Sequence, residues 1–262
     1  MSAPVRAAHR DAPGATLRTG ATRFGTIVVV GGGCYGSYYV RQLARAAKAG
    51  AVAWRRLVVV DRDANCGVTK LEDFDAELVV SEWSEFFTQY LGAWGASAGS
   101  DPTDAIVPSP LMPHLMYEWI RDRCVERWPD RSVLTRPLSA PPPTPWQRAS
   151  ADGTHYVSFA EWTCPVNCIE PGLCPHTRGE RTWSMPIAVR EYVNSERSAG
   201  RELLGPFVFH CTHRAFGVGM VDVADVVAAE SSIRSAAEAG AVDALIGTVS
   251  HCHGALNLLS IR

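Results

Sequence analysis

Two sets of side chains in this 262-residue sequence have types and spacings suited to chemistry. The first is Cys164, Cys168 and Cys174, spaced C-x3-C-x5-C and followed by His176 in the string CPVNCIEPGLCPH. Three thiolates in one short loop suit a soft cation or an iron–sulfur cluster. Pro165, Pro171, Gly172 and Pro175 hold the loop in turns, which limits the entropy lost when thiolates converge. A fourth ligand must come from elsewhere. The candidates are His176, Cys211 within His210-Cys211-Thr212-His213, and Cys252 within His251-Cys252-His253. The second set is Gly31, Gly33 and Gly36, which fit G-x-G-x-x-G between an apolar run and a helical pattern. The first glycine permits a tight turn, the second lets backbone approach a pyrophosphate, and the third lets helix and strand pack closely. Cys34 and Tyr35 lie within this loop, just before a helix whose N–H groups and dipole favour phosphate. Asp61 ends the next apolar run, where a carboxylate takes ribose hydroxyls. Arg62 beside it suits a 2′-phosphate, so NAD and NADP both stay open.

The elements that must position these residues follow from periodicity. Ile27 to Val30 and Leu57 to Val60 read as parallel strands joined by a helix from about Gly36 to Lys48, with Tyr39, Leu43, Ala46 and Ala47 on its apolar face. Ala76 to Val80 reads as a third strand. In the helix Trp83 to Tyr90, Trp83, Phe86, Phe87 and Tyr90 form a stripe expected in the core. After a loop from Gly92 to Pro102 come a strand, Asp104 to Val107, and a helix, Pro113 to Arg127. His114, at that helix start, is expected at the surface. Pro206 to Thr212, Val223 to Ala239 and Ala244 to Val249 read as strand, helix and strand. The expected fold is α/β, a Rossmann-like doubly wound and mostly parallel sheet with a Cys-rich insertion. Its parts are a flexible arm (1–23), a nucleotide-binding part (24–138), a Pro-rich linker (139–150), a Cys-rich metal-binding insertion (151–205) and a C-terminal part completing the sheet (206–262). In such a sheet the strand ends before Cys211 and Cys252 share the edge that carries the glycine loop.

Residues 26–61 resemble the Rossmann dinucleotide-binding superfamily at the level of this motif. The string CPVNCI is similar to a piece of the cluster-binding loops of bacterial ferredoxins, without the C-x2-C-x2-C run that precedes it there. GGGCYGSYYVRQLARA with LVVVDRD also resembles the ATP-binding start of the adenylyltransferases that activate ubiquitin-like and sulfur-carrier proteins. That resemblance implies Asp61 on ribose, Asp63 near magnesium and a cysteine zinc site. The family's asparagine and Arg-Gln after the D-x-D pair are not reproduced here.

Composition bounds these readings. An apolar fraction of 47% supplies a core, and a net charge of −2 offers no field for nucleic acid. No apolar run approaches the roughly 20 residues of a membrane span. Eight cysteines beside such a glycine loop read as metal or thiol chemistry in a cytoplasmic chain. The expected function is a redox or electron-transfer protein that binds NAD or NADP and carries an iron–sulfur centre, with zinc as the alternative metal. It is expected to be an NAD(P)-dependent oxidoreductase or a subunit of one, with a protein redox partner or a second copy of itself. The alternatives are an ATP-dependent adenylyltransferase with structural zinc and a non-enzymatic nucleotide-sensing or assembly protein. A loop of reduced, buried thiols without metal is the plainest reading of the cysteines.

Overall fold

Hydrophobic alternation sets the layers. In strand β1 (Thr22–Val30), Val28 and Val30 enter one apolar cluster while Ile27 and Val29 enter another, as a two-residue period requires. The structure is a computed structural model and describes residues 21–72, 75–95 and 100–262. Beside β1 lie β2 (Val52–Asp61) and β3 (Glu77–Val80) on one side and β4 (Ala105–Val107) on the other, all parallel. The sheet continues through β10 (Val218–Asp222), antiparallel to β4, and β9 (Thr212–Ala215), giving the order β3-β2-β1-β4-β10-β9.

A second sheet has the order β6 (Trp146–Ala149), β7 (His155–Ser158), β12 (His253–Ile261), β11 (Val242–Val249), β8 (Leu204–His210). β5 (Val133–Arg136) pairs with β12 beyond β7. β11 runs antiparallel to β12 and parallel to β8. Helices α2 (Trp83–Ala93), α3 (Leu115–Arg127) and α5 (Val223–Ala239) fill the space between the sheets. Their apolar residues share a cluster with Val28, Val58 and Ile106 of the first sheet and Phe209, Ile246 and Leu259 of the second. Helix α1 (Cys34–Lys48) covers the far face of the first sheet through Val40, Leu43 and Ala46. Helix α4 (Met185–Ser198) covers the far face of the second through Met185, Val189 and Val193.

The protein is therefore mixed α/β with two sheets, which corrects the expectation of one mostly parallel sheet. Residues 206–262 do not complete a single sheet. β9 and β10 join the first, while β8, β11 and β12 build the second. The physical reason is α5, apolar enough to be buried between two sheets rather than on an outer face. The segment expected as an insertion gives β7 and α4 to the second sheet, and the Pro-rich linker contains β6. The expected N-terminal arm lies outside the described residues up to residue 20, and β1 begins at Thr22, inside its boundary. Residues 96–99 of the expected Gly92–Pro102 loop also lie outside the described residues. The aromatic stripe behaves as expected: Phe87 is buried, and Trp83, Phe86 and Tyr90 pack against the shared core. No helix among the described residues is long and apolar enough to cross a membrane.

Candidate functional site

The glycine loop follows β1 at the carboxyl end of the parallel strands. Gly31 has φ +85°, the left-handed region in which glycine carries no steric penalty. A Cβ on Gly36 would collide with the Gly31 carbonyl, so this residue is what allows α1 to approach β1 so closely. A Cβ on Gly33 would meet nothing within 4 Å, so the backbone there faces open space. Gly33 is also the residue before α1, and no side chain caps the helix. Asp61, at the end of β2, accepts a hydrogen bond from the Gly32 N–H at 2.6 Å and one from Asp63 N–H at 2.9 Å. Asp63 in turn accepts from Asn65 N–H at 2.8 Å, so both carboxylates are engaged in consecutive turns. Arg62 and Cys34 are exposed. Trp83 of α2 supports the loop from beneath: its Nε1–H donates to Val60 O at 3.1 Å, and its ring lies against Gly31.

The cysteine loop reaches the same edge. A cavity of about 350 Å3 is lined by Tyr35 and Tyr39 of α1 and by Cys164, Cys168, Glu170, Cys211, His213 and His253, among others. Burial raises the Cys164 thiol, and the neighbouring Cys168 and Cys174 sulfurs push it further in the same direction. Cys174 lies in its own turn. The Thr177 N–H, aided by the Thr177 hydroxyl and the His176 N–H, holds its thiol below the ordinary value. Cys252 is buried and pushed up to about 12, first by burial; it accepts a hydrogen bond from Trp183 Nε1–H at 3.2 Å, and its charge registers that of Cys164. Burial likewise raises Cys211 to about 12. His176 does not turn toward the cavity: its ring stacks on Trp162 at 4.3 Å with an interplanar angle of 8°. Among the described residues no three His, Cys, Asp or Glu side chains are gathered as an ion-holding group, so coordination requires the loop to close up.

Glu170 ties the parts together and was not singled out by sequence reasoning. It has φ +51°, unfavourable for a branched or long side chain, and its carboxylate accepts three hydrogen bonds. The donors are Ser250 hydroxyl at 2.5 Å, His251 N–H at 2.8 Å and Cys252 N–H at 3.0 Å. Burial pushes its carboxyl up, but these donors and the nearby His213 outweigh that and hold it below the usual range. The carboxylate thus anchors the cysteine loop to the turn between β11 and β12. Around it stand four imidazoles, each held below its ordinary value chiefly by burial: His210, His213, His251 and His253. The His210 and His251 rings meet edge to face at 4.7 Å, and His210 Nε2 is buried without a hydrogen-bond partner. The only sequence signal for Glu170 was its place between Cys168 and Cys174.

His114, expected at the surface, is buried beneath β7. Its Nδ1 lies 3.2 Å from the Tyr156 hydroxyl, and its Nε2 faces Glu118 and Asp152 at 3.6 and 3.7 Å. These partners come from residues 118, 152 and 156, two of them distant in sequence, so the helix-start pattern gave no sign of them.

A family model described as "Uncharacterized protein, C-terminal domain" matches residues 116–262, more than half of the chain, and the chain belongs to that family. The matched stretch holds the cysteine loop, Glu170 and both Cys/His clusters, while the glycine loop precedes it. No curated protein matches the chain, and no solved structure does.

Proposed function

We propose that this chain is a redox protein, an NAD(P)-dependent oxidoreductase or a subunit of one. It takes a dinucleotide on a Rossmann-like glycine loop and holds a thiolate-bound metal centre, iron–sulfur in first place, at the same edge. The observation that carries the reading is the cavity of about 350 Å3 bordered both by Tyr35 and Tyr39 of α1 and by Cys164, Cys168 and Cys211.

The residues present fit a nucleotide: backbone at Gly33 faces open space and the start of α1 lacks a side-chain cap. The N–H groups of Gly33, Cys34 and Tyr35 would hold the pyrophosphate, and Asp61 the ribose, with exposed Arg62 beside it. The donor set also fits a thiophilic centre in its chemistry. Cys164, Cys168 and Cys174 would hold it, with Cys252, whose thiol feels the charge of Cys164, as fourth ligand. Cys211, in the same cavity, is the other candidate. A bound nicotinamide supplies hydride chemistry, and a bound cluster passes single electrons. The chain's own residues orient and stabilise. Trp183 Nε1–H on Cys252 and the Thr177 and His176 N–H groups on Cys174 favour thiolate, as donors to metal-bound sulfur do. Thiols held at about 12 must lose protons on loading, so metal uptake rises with pH.

The test is metal and acid-labile sulfide content of anaerobically purified protein, beside a Cys164→Ala/Cys168→Ala/Cys174→Ala variant, with NADH, NADPH and ATP binding measured on both. Iron with sulfide, lost in the variant, and saturable dinucleotide binding are expected. Zinc without sulfide and a preference for ATP would replace this reading with nucleotidyl transfer. Absence of both metal and nucleotide binding would overturn it.

A further inference from the structure

Next to the thiol-lined cavity lies a second one of about 400 Å3, and the two share Tyr39, Pro110, Cys211, Ser250 and His253. Its other walls are largely apolar: Pro108, Pro113, Trp146, Tyr156, Val249 and Ala255 contribute to them. Trp146, on the edge strand β6, is 43% exposed, a large indole left at the rim with its apolar surface uncovered. An apolar cavity of about 150 Å3 already holds one benzene ring, so this space accommodates one or two fused rings.

The polar end of the cavity is set by a hydrogen-bond count. The Ser158 hydroxyl donates to Ala160 O at 2.6 Å and accepts from Ala160 N–H at 2.9 Å. Its proton is thereby used, and one lone pair remains. His253 Nδ1 lies 2.9 Å from the same oxygen, so the imidazole must donate there through Nδ1–H. Nε2 then carries the lone pair, on the side of the ring away from Ser158. Tyr39 also lines the cavity.

We propose that this cavity is a binding site for a neutral aromatic hydroxyl compound, whose rings lie among the prolines, Trp146 and Tyr156 and whose hydroxyl donates to His253 Nε2. The site needs neither the dinucleotide nor the metal centre proposed above. Beside the redox edge proposed above, it is placed for a phenolic substrate.

The test uses the purified full chain without added nucleotide, with 2-naphthol and 2-methoxynaphthalene as probes and tryptophan fluorescence as readout. Saturable binding of 2-naphthol is expected, about tenfold tighter than the methoxy compound, which lacks the donor. His253→Phe keeps a ring of similar size and is expected to abolish that preference. Trp146→Ala, at an exposed position, is expected to weaken both probes alike. Absence of saturable 2-naphthol binding, equal affinity of the wild type for the two probes, or a preference that survives in His253→Phe would each overturn the proposal. Because both probes are compared on the wild type, a misfolded variant leaves the decision intact. None of these results bears on metal content or dinucleotide binding.

Discussion

The glycine loop and the cysteine loop border one cavity but are held in different ways. The first is fixed by backbone: Gly31 N–H donates to Val60 O, Gly36 packs on the Gly31 carbonyl, and a regular strand and helix flank the turn. The second has no strand or helix between β7 and α4; Glu170 attaches its middle to the β11–β12 turn, and Trp183 Nε1–H on Cys252 attaches its end. A loop fixed by its own backbone is ready for a ligand of fixed shape. A loop attached by a few side chains has more freedom to rearrange.

The largest expected effect tests the backbone side. Gly36→Ala forces a methyl into the Gly31 carbonyl, and overpacking of this kind costs about 1–3 kcal/mol. Urea unfolding should show that loss, or no folded protein at all; an unchanged midpoint would mean that α1 slides freely on β1. Glu170→Gln tests the side-chain hinge. Leaving buried donors poorly paired costs about 1–2 kcal/mol, and the loss should be local. Amide exchange at His251 and Cys252 should speed up and metal uptake should fall, while nucleotide affinity stays as in the wild type.

Acid should separate the two regions further. The four imidazoles around Glu170 are held below the ordinary value of 6.5, so the unfolded chain takes up protons first. Their contribution is complete above pH 6.5 and declines as pH falls from there toward their lower folded values. Glu170 contributes in full above its ordinary value of 4.5 and loses that contribution as pH falls through its lower folded value. Denaturation between pH 8 and 3 should therefore show two declines; Glu170→Gln should shrink the second, to which Asp101 and Asp152 also contribute, and deepen the first, because Glu170 raises all four imidazoles. The smallest effect is expected from Trp83→Phe, which gives up the hydrogen bond to Val60 O and about 1 kcal/mol beneath the glycine loop, without touching the cysteine side.

The same contrast explains what was legible in the sequence. Strand, turn and helix at residues 22–48 are local, and a spacing of glycines with flanking periodicity suffices to read them. The helix at Val223–Ala239 was read with its observed ends for the same reason. That the chain has two sheets was not legible, because the near-continuous apolar run of β11 says that both faces are covered but not by what. Glu170 was missed because its partners are about 80 residues away, and a glutamate between two cysteines has no pattern of its own. The nearness of Cys211 and His253 to α1 was expected from strand ends of a single sheet, whereas Cys211 links the two sheets and His253 opens β12 of the second.

A single residue, Cys211, separates β8 of the second sheet from β9 of the first, whereas the other passages between sheets, from β4 to β5 and from β10 to β11, run through α3 and α5. At Cys211 the two sheets are joined with almost no slack, and both cavities touch that joint. Whatever fills either space therefore lies against the shortest passage between the two sheets.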